Sequence, residues 1–309
     1  MRHVLITGGG GFLGRKLAAA LAARADVETL TLFDQAPIAD PPPKADVVVG
    51  DLLAPGMIAR IAPPRIDAIV HLAAVVSSGA EADFDLGMRV NIDGLRALLE
   101  RLRANGNAPK VVFTSSVAAF GMAPTLVDDD TATRPQSSYG AQMAIGEYIV
   151  NDMSRKGYVD GRVMRLPTVV VRPGKPNKAA SSFASGILRE PLAGQPSVCP
   201  VKPELGLWIA SPRAVTAALV HALETPAELW APWRTVNLCG LTVTVEEMVA
   251  ALGRAGGDTG LIAWERDPAI EAIVETWPAR FVTPRADAMG FARDANIDSI
   301  LQAYKEDDM

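Results

Sequence analysis

Ser116 and Tyr139 are the two side chains in this sequence best suited to moving a proton. Ser116 ends an apolar run, KVVFTSS (110–116), and Tyr139 lies near the start of SSYGAQMAIGEYIV (137–150). A serine hydroxyl can hydrogen-bond a substrate carbonyl or alcohol. A phenol can exchange the proton that accompanies a hydride transfer. Met143 follows Tyr139 by one helical turn and shares its face. A thioether there brings neither charge nor donor to the phenol.

A second set of residues suits a dinucleotide. TGGGGFLG (7–14) follows HVLIT (3–7) and opens a helical stretch. Gly8, Gly11 and Gly14 lack side chains that would hold a pyrophosphate off the backbone, and Phe12 and Leu13 begin the helix whose N-terminus would receive it. Asp34 ends the next apolar run, 20 residues after Gly14, where an acid meets the adenosine ribose. A carboxylate there binds a free 2′-hydroxyl and repels a 2′-phosphate, which selects NAD over NADP. Asp51 and Leu52 are placed to flank the adenine, and Leu72, Ala73 and Ala74 of HLAA (71–74) to line the cofactor cleft.

The elements that must position these residues follow from short apolar runs alternating with helical patterns. Strands are predicted at 3–7, 30–33, 45–51, 67–74, 110–116 and 161–171, and helices at 12–25, 85–104 and 138–156. Strand alternating with helix implies right-handed βαβ units and a parallel sheet. The predicted class is α/β, a Rossmann-type doubly wound parallel sheet with a smaller C-terminal α/β substrate subdomain. The NAD-binding part is set at 1–171. Residues 172–309 form mainly the substrate subdomain, with some segments returning to the first. Within it, helices are expected at about 183–190, 212–224 and 244–255 and short strands at 207–210, 234–238 and 261–264.

Composition narrows the function classes. The chain has 309 residues, 49% hydrophobic and 21% charged, as a globular protein with an ample core requires. Its net charge of −5 offers no general attraction to nucleic acid or anionic membrane. No apolar run is long enough to span a bilayer, and the N-terminus lacks a signal-peptide pattern. The 2 cysteines form no CxxC pair and the 3 histidines no cluster, so the expectation is a metal-free cytoplasmic protein.

TGGGGFLG, Asp34, DLL, HLAA, VNIDG, FTSS, SYGAQ and RLPTVVVRPG, in this order, resemble an extended short-chain dehydrogenase/reductase over nearly the whole chain. The resemblance implies catalytic roles for Ser116 and Tyr139, a supporting role for Asn91, and a nicotinamide pocket lined by Pro167 and Thr168. It also implies a homodimer built on helices 85–104 and 138–156. RLPTVVVRPGKPNKAASSFASGILREPLAG, LWIASPR and VNLCGLTVTVEEM resemble the sugar-acid branch, whose members oxidise the C2 hydroxyl of a four-carbon aldonic acid with NAD. Arg172, Lys178 and Arg213 are candidates for the substrate carboxylate; Ser182 and Trp208 are candidates for shaping the pocket.

The family pattern is Tyr-x-x-x-Lys, and here Met143 holds the lysine position. That lysine holds the nicotinamide ribose and lowers the tyrosine pKa, so the cofactor and catalytic roles of position 143 are both affected. Three readings follow: an enzyme impaired by Lys→Met, an enzyme with another proton route, and an NAD-binding protein without catalysis. A nucleotide-sugar epimerase or dehydratase that retains NAD is a further alternative on the same scaffold.

Overall fold

The computed structural model describes residues 1–121, 125–174 and 179–309. Among them, twelve strands follow in chain order: β1 (His3–Thr7), β2 (Thr29–Asp34), β3 (Ala45–Val49), β4 (Ala68–His71), β5 (Lys110–Ser116), β6 (Asp160–Leu166), β7 (Thr168–Val169), β8 (Ser197–Cys199), β9 (Gly206–Ala210), β10 (Thr235–Asn237), β11 (Leu241–Thr244) and β12 (Ile262–Trp264). Seven make one parallel sheet in the order β10-β6-β5-β4-β1-β2-β3. The order reverses between β1 and β4, and a crevice opens beyond the carboxyl ends of strands at such a point.

Alternation along each strand feeds two cores. Val4 and Ile6 of β1 face one side, where they join Leu17 and Leu21 of helix Phe12–Ala22 and Val215 and Leu219 of helix Pro212–Glu224. Leu5 faces the other side, with Leu98 and Leu102 of helix Leu95–Asn105 and Val150 of helix Ser138–Arg155. A sheet covered by helices on both faces has strands that read as continuous apolar runs, which is why they are visible in the sequence. A third core, around Leu188, Leu207, Met248 and Ile300, belongs to the C-terminal part with β8, β9, β11 and β12.

Strand β5 and helix Pro212–Glu224 match their sequence-derived bounds at both ends. Two predicted elements are divided, and one strand of the second half joins the first. The predicted 161–171 strand is split into β6 and β7, which enter different sheets. Strand β10 returns from the second half to the edge of the main sheet, pairing with β6. The predicted 85–104 helix is three pieces: Phe84–Gly87, a π-helical segment Met88–Gly94, and Leu95–Asn105. Among the described residues, no helix is long and apolar enough to cross a membrane.

Candidate active site

A cleft of about 580 Å³ runs along the carboxyl ends of β1, β2, β4, β5 and β6. At one end lies the glycine loop. Gly8 takes a left-handed φ of 73°, and a Cβ on Gly14 would stand 2.3 Å from the Gly8 carbonyl oxygen. Only a bare α-carbon permits that approach, so the loop closes tightly onto helix Phe12–Ala22. That helix has Gly11 at its N-cap and no side-chain cap, so its first-turn N–H groups remain for an anion.

Asp34 accepts from the Gly10 N–H at 2.9 Å and the Ala36 N–H at 3.3 Å. Its carboxylate is thereby fixed at the end of β2, on the cleft. Asp51, Leu52, Leu72, Ala73 and Ala74 all line the same cleft, as do Gly8, Gly11, Phe12, Leu13 and Gly14. Arg89 reaches Asp51 at 2.9 Å across the adenine end, a pairing the sequence did not single out. The glycine loop, uncapped helix and ribose-side carboxylate fit a bound NAD.

At the other end, Ser116, Tyr139, Pro167, Thr168 and Arg172 come together. Ser116 ends β5, and its hydroxyl accepts from the Ala118 N–H at 3.2 Å. Ser137 caps the helix that carries Tyr139, accepting from the Gly140 N–H at 3.2 Å. A Cβ on Gly140 would stand 2.3 Å from the Ala118 carbonyl oxygen, so this glycine lets the helix start pack directly on the turn after Ser116. Ser116 and Tyr139 are brought to the same cleft through that contact. Burial pushes the Tyr139 phenol up to about 12, while the Ser116 hydrogen bond and the Arg172 charge act to lower it.

Arg172, also on the cleft, is held by three hydrogen bonds. Its main-chain N–H donates to Ser185 Oγ at 2.9 Å, its carbonyl accepts from Arg189 at 2.6 Å, and its Nη2 donates to Ser181 Oγ at 2.9 Å. The guanidinium lies 5.9 Å from the centre of the Phe12 ring. Burial lowers its pKa to about 10, with the Tyr139 charge opposing, so it is a cation at neutral pH.

Met143 does not line the cleft. It is 1% exposed and packs in the core beneath Tyr139, with Leu95, Phe113 and Ala119 in the same cluster. Asn91 is also buried behind the wall. Its Oδ1 accepts from the Val75 N–H at 2.8 Å, and its Nδ2 donates to the Val75 carbonyl at 3.0 Å and to Gln142 Oε1 at 2.7 Å. It therefore clamps the segment after β4 to the Tyr139 helix.

The remaining candidates separate. Trp208 sits behind Val117 and stacks on Phe281, its indole N–H donating to the Leu238 carbonyl at 3.2 Å. Ser182 lines a different cleft, with Glu190 and Arg266. Arg213 is exposed and paired with Glu306 and Asp307 at 2.8 and 2.6 Å. Lys178 lies outside the described residues.

Sequence reasoning missed Ser77, Ser181 and Trp277 in the cleft. Ser77 Oγ accepts from the Ala180 N–H at 2.9 Å and so ties the two walls together. The Trp277 indole N–H is buried without a partner among the described residues. The polar pair after the fourth strand was a usable signal for Ser77; nothing local marks Trp277.

Comparison with known proteins gives the family. Residues 4–206 match the model of the NAD dependent epimerase/dehydratase family. The chain is 52% identical to D-erythronate dehydrogenase of Cupriavidus necator, over 99% of this chain and 98% of that protein. It is 46% identical to D-erythronate dehydrogenase of Haemophilus influenzae, over 99% of both. Among solved structures, a nucleoside-diphosphate-sugar epimerase from Agrobacterium tumefaciens superposes with a TM-score of 0.91 at 41% identity, covering 99% of this chain and 94% of that one.

Proposed function

Because the chain belongs to the NAD dependent epimerase/dehydratase family, we propose that it oxidises the C2 hydroxyl of a four-carbon sugar acid such as D-erythronate to the 2-keto acid. The observation that carries the reading is one continuous cleft with a dinucleotide cradle at one end and Ser116, Tyr139 and Arg172 at the other. Bound NAD supplies the hydride acceptor, and its oxidised nicotinamide adds positive charge at the reacting end. The Ser116 hydroxyl donates to the substrate C2 oxygen and fixes it. The Tyr139 phenolate oxygen takes the proton of that hydroxyl. Of the two candidate cations for the substrate carboxylate among the described residues, Arg172 lines the cleft, while Arg213 is committed to Glu306 and Asp307.

In this reading Met143 impairs the enzyme without unmaking it. A phenol near 12 is rarely ionised at neutral pH, and a methionine adds nothing to correct that. Self-association is part of the same reading. The helix Ser138–Arg155 exposes Ile145 and Tyr148, and Tyr148 meets Trp233 edge-to-face at 5.7 Å, leaving an aromatic patch suited to a second copy. Light scattering of Tyr148→Glu against the parent tests this: the charge should yield monomer, and an unchanged mass would remove the patch from the interface.

The substrate test is NADH formation by the chain and by Met143→Lys with D-erythronate, other four-carbon acids and nucleotide sugars. Turnover of a four-carbon acid is expected. Turnover confined to nucleotide sugars would overturn the assignment, and the relative from Agrobacterium tumefaciens makes that arm necessary.

A further inference from the structure

The position that the family fills with lysine holds a buried methionine outside the cleft, yet the phenol it would serve is still on the cleft wall. The charged groups around Tyr139 can be taken element by element. On its own helix, Glu147 is paired with Arg165 at 2.6 Å and hydrogen-bonded to Ser115. From the helix Ser77–Ala82, Glu81 accepts from the Ser138 N–H at 2.8 Å. From the neighbouring Phe84–Gly94 segment, Arg89 is held by Asp51 at the adenine end. His71, at the end of β4, is buried and neutral. Among the described residues lining the cleft, Arg172 is therefore the cation at the reacting end.

We propose that Arg172 is an electrostatic positioning residue for Tyr139, supplying within the shared cleft part of the positive field that position 143 does not provide. Three tethers fix it there: Ser185 and Arg189 hold its backbone, and Ser181 holds its guanidinium. Rigid placement matters because a charge fixed in a partly desolvated site acts more strongly than a mobile one in water. The coupling runs both ways, Arg172 favouring the phenolate and Tyr139 favouring the guanidinium. The substitution is incomplete. Arg172 supplies field but does not occupy the place from which a lysine would hold the ribose.

The inference rests on Tyr139 being the proton acceptor, but its test need not involve turnover. A fluorinated tyrosine, whose phenol titrates well below that of tyrosine, is placed at 139, and its phenolate absorbance is followed against pH without cofactor or substrate. A unit charge within about 10 Å at an effective dielectric of about 20 shifts a pKa by at least roughly one unit, so loss of the charge should matter by about that much. Arg172→Gln is expected to raise the midpoint by about one unit, Arg172→Lys to hold it, and Ser181→Ala to raise it by less. The acid limb of kcat/KM should move upward with Arg172→Gln and stay in place with Arg172→Lys. A midpoint that does not move in Arg172→Gln, or moves equally in Arg172→Lys, overturns the proposal. Should Arg172→Gln fail to fold, an unmoved midpoint in Ser181→Ala overturns it instead. A chain inactive on every acid but showing the titration shift would sink the substrate assignment and leave this inference standing.

Discussion

Restoring a lysine at position 143 is the perturbation with the most to say about this protein. The Met143 side chain is 1% exposed and lies on the same helical face as Tyr139, one turn on. A lysine has the length to run up past the phenol and bring its ammonium to the cleft, leaving its stem in the core. A positive charge about 4 Å from the phenolate, at an effective dielectric of about 20, contributes at most about 4 kcal/mol, or roughly three pKa units. Starting from a phenol held up to about 12 by burial, Met143→Lys brings the midpoint towards the range where an enzyme works. The phenolate fraction rises by about tenfold for each unit of that shift, and attenuation in the transition state leaves an expected gain of roughly 10²–10³-fold in kcat. Affinity for NAD should improve more modestly. The assay is initial NADH formation from D-erythronate across a pH series. With Met143 the rate should keep rising with pH, because more base becomes available; in the Met143→Lys chain the rise should level off at lower pH. Equal rates and equal profiles for the two chains would refute the reasoning and point to a proton route that avoids Tyr139.

Three further outcomes follow from the geometry. Asp34→Asn keeps the size of the side chain but removes the charge beside the ribose, so NAD should bind about tenfold more weakly and discrimination against NADP should shrink; titration with both dinucleotides checks this. Glu147→Gln leaves Arg165 buried without its counter-charge, where the pair is now 1% and 6% exposed, and should cost about 3–5 kcal/mol in urea unfolding. His71 is buried beside Thr7 Oγ1 at 2.8 Å, and burial pushes its pKa down to about 4. The unfolded chain therefore binds the proton first as pH falls through about 6.5, and stability is lost between there and about 4. About 2 kcal/mol should disappear on going from pH 7.5 to pH 5, and a His71→Gln chain should lack that component of the slope.

Much of this molecule is legible along the chain because its signals are local. The parallel strands are buried on both faces and so stand out as apolar runs, as in KVVFTSS. The glycine loop and Asp34 announce themselves because a close backbone approach and a ribose-side acid each need a particular residue type at a particular place. Ser116 and Tyr139 were readable as types, and the small residue at 140 is what lets them meet.

Other features have no local trace. The three-residue strand β8 is too short to show alternation, and the seven-residue π-helical segment around Asn91 is too short to disturb the helical pattern. Strand β10 joins the main sheet from far along the chain, because pairing answers to a free edge in space and not to sequence order. The fates of the three cations considered for the carboxylate, Arg172, Lys178 and Arg213, differ for a similar reason. By type Arg172 and Arg213 are equivalent; the fold tethers one on the cleft with serines and exposes the other to two acids on the C-terminal helix, and Lys178 lies outside the described residues. The sequence alone determined that a lysine is missing beside Tyr139. Only the tertiary structure decided that Met143 is buried in the core and that Arg172 lines the same cleft as Tyr139, since burial and shared lining depend on what distant parts of the chain bring together.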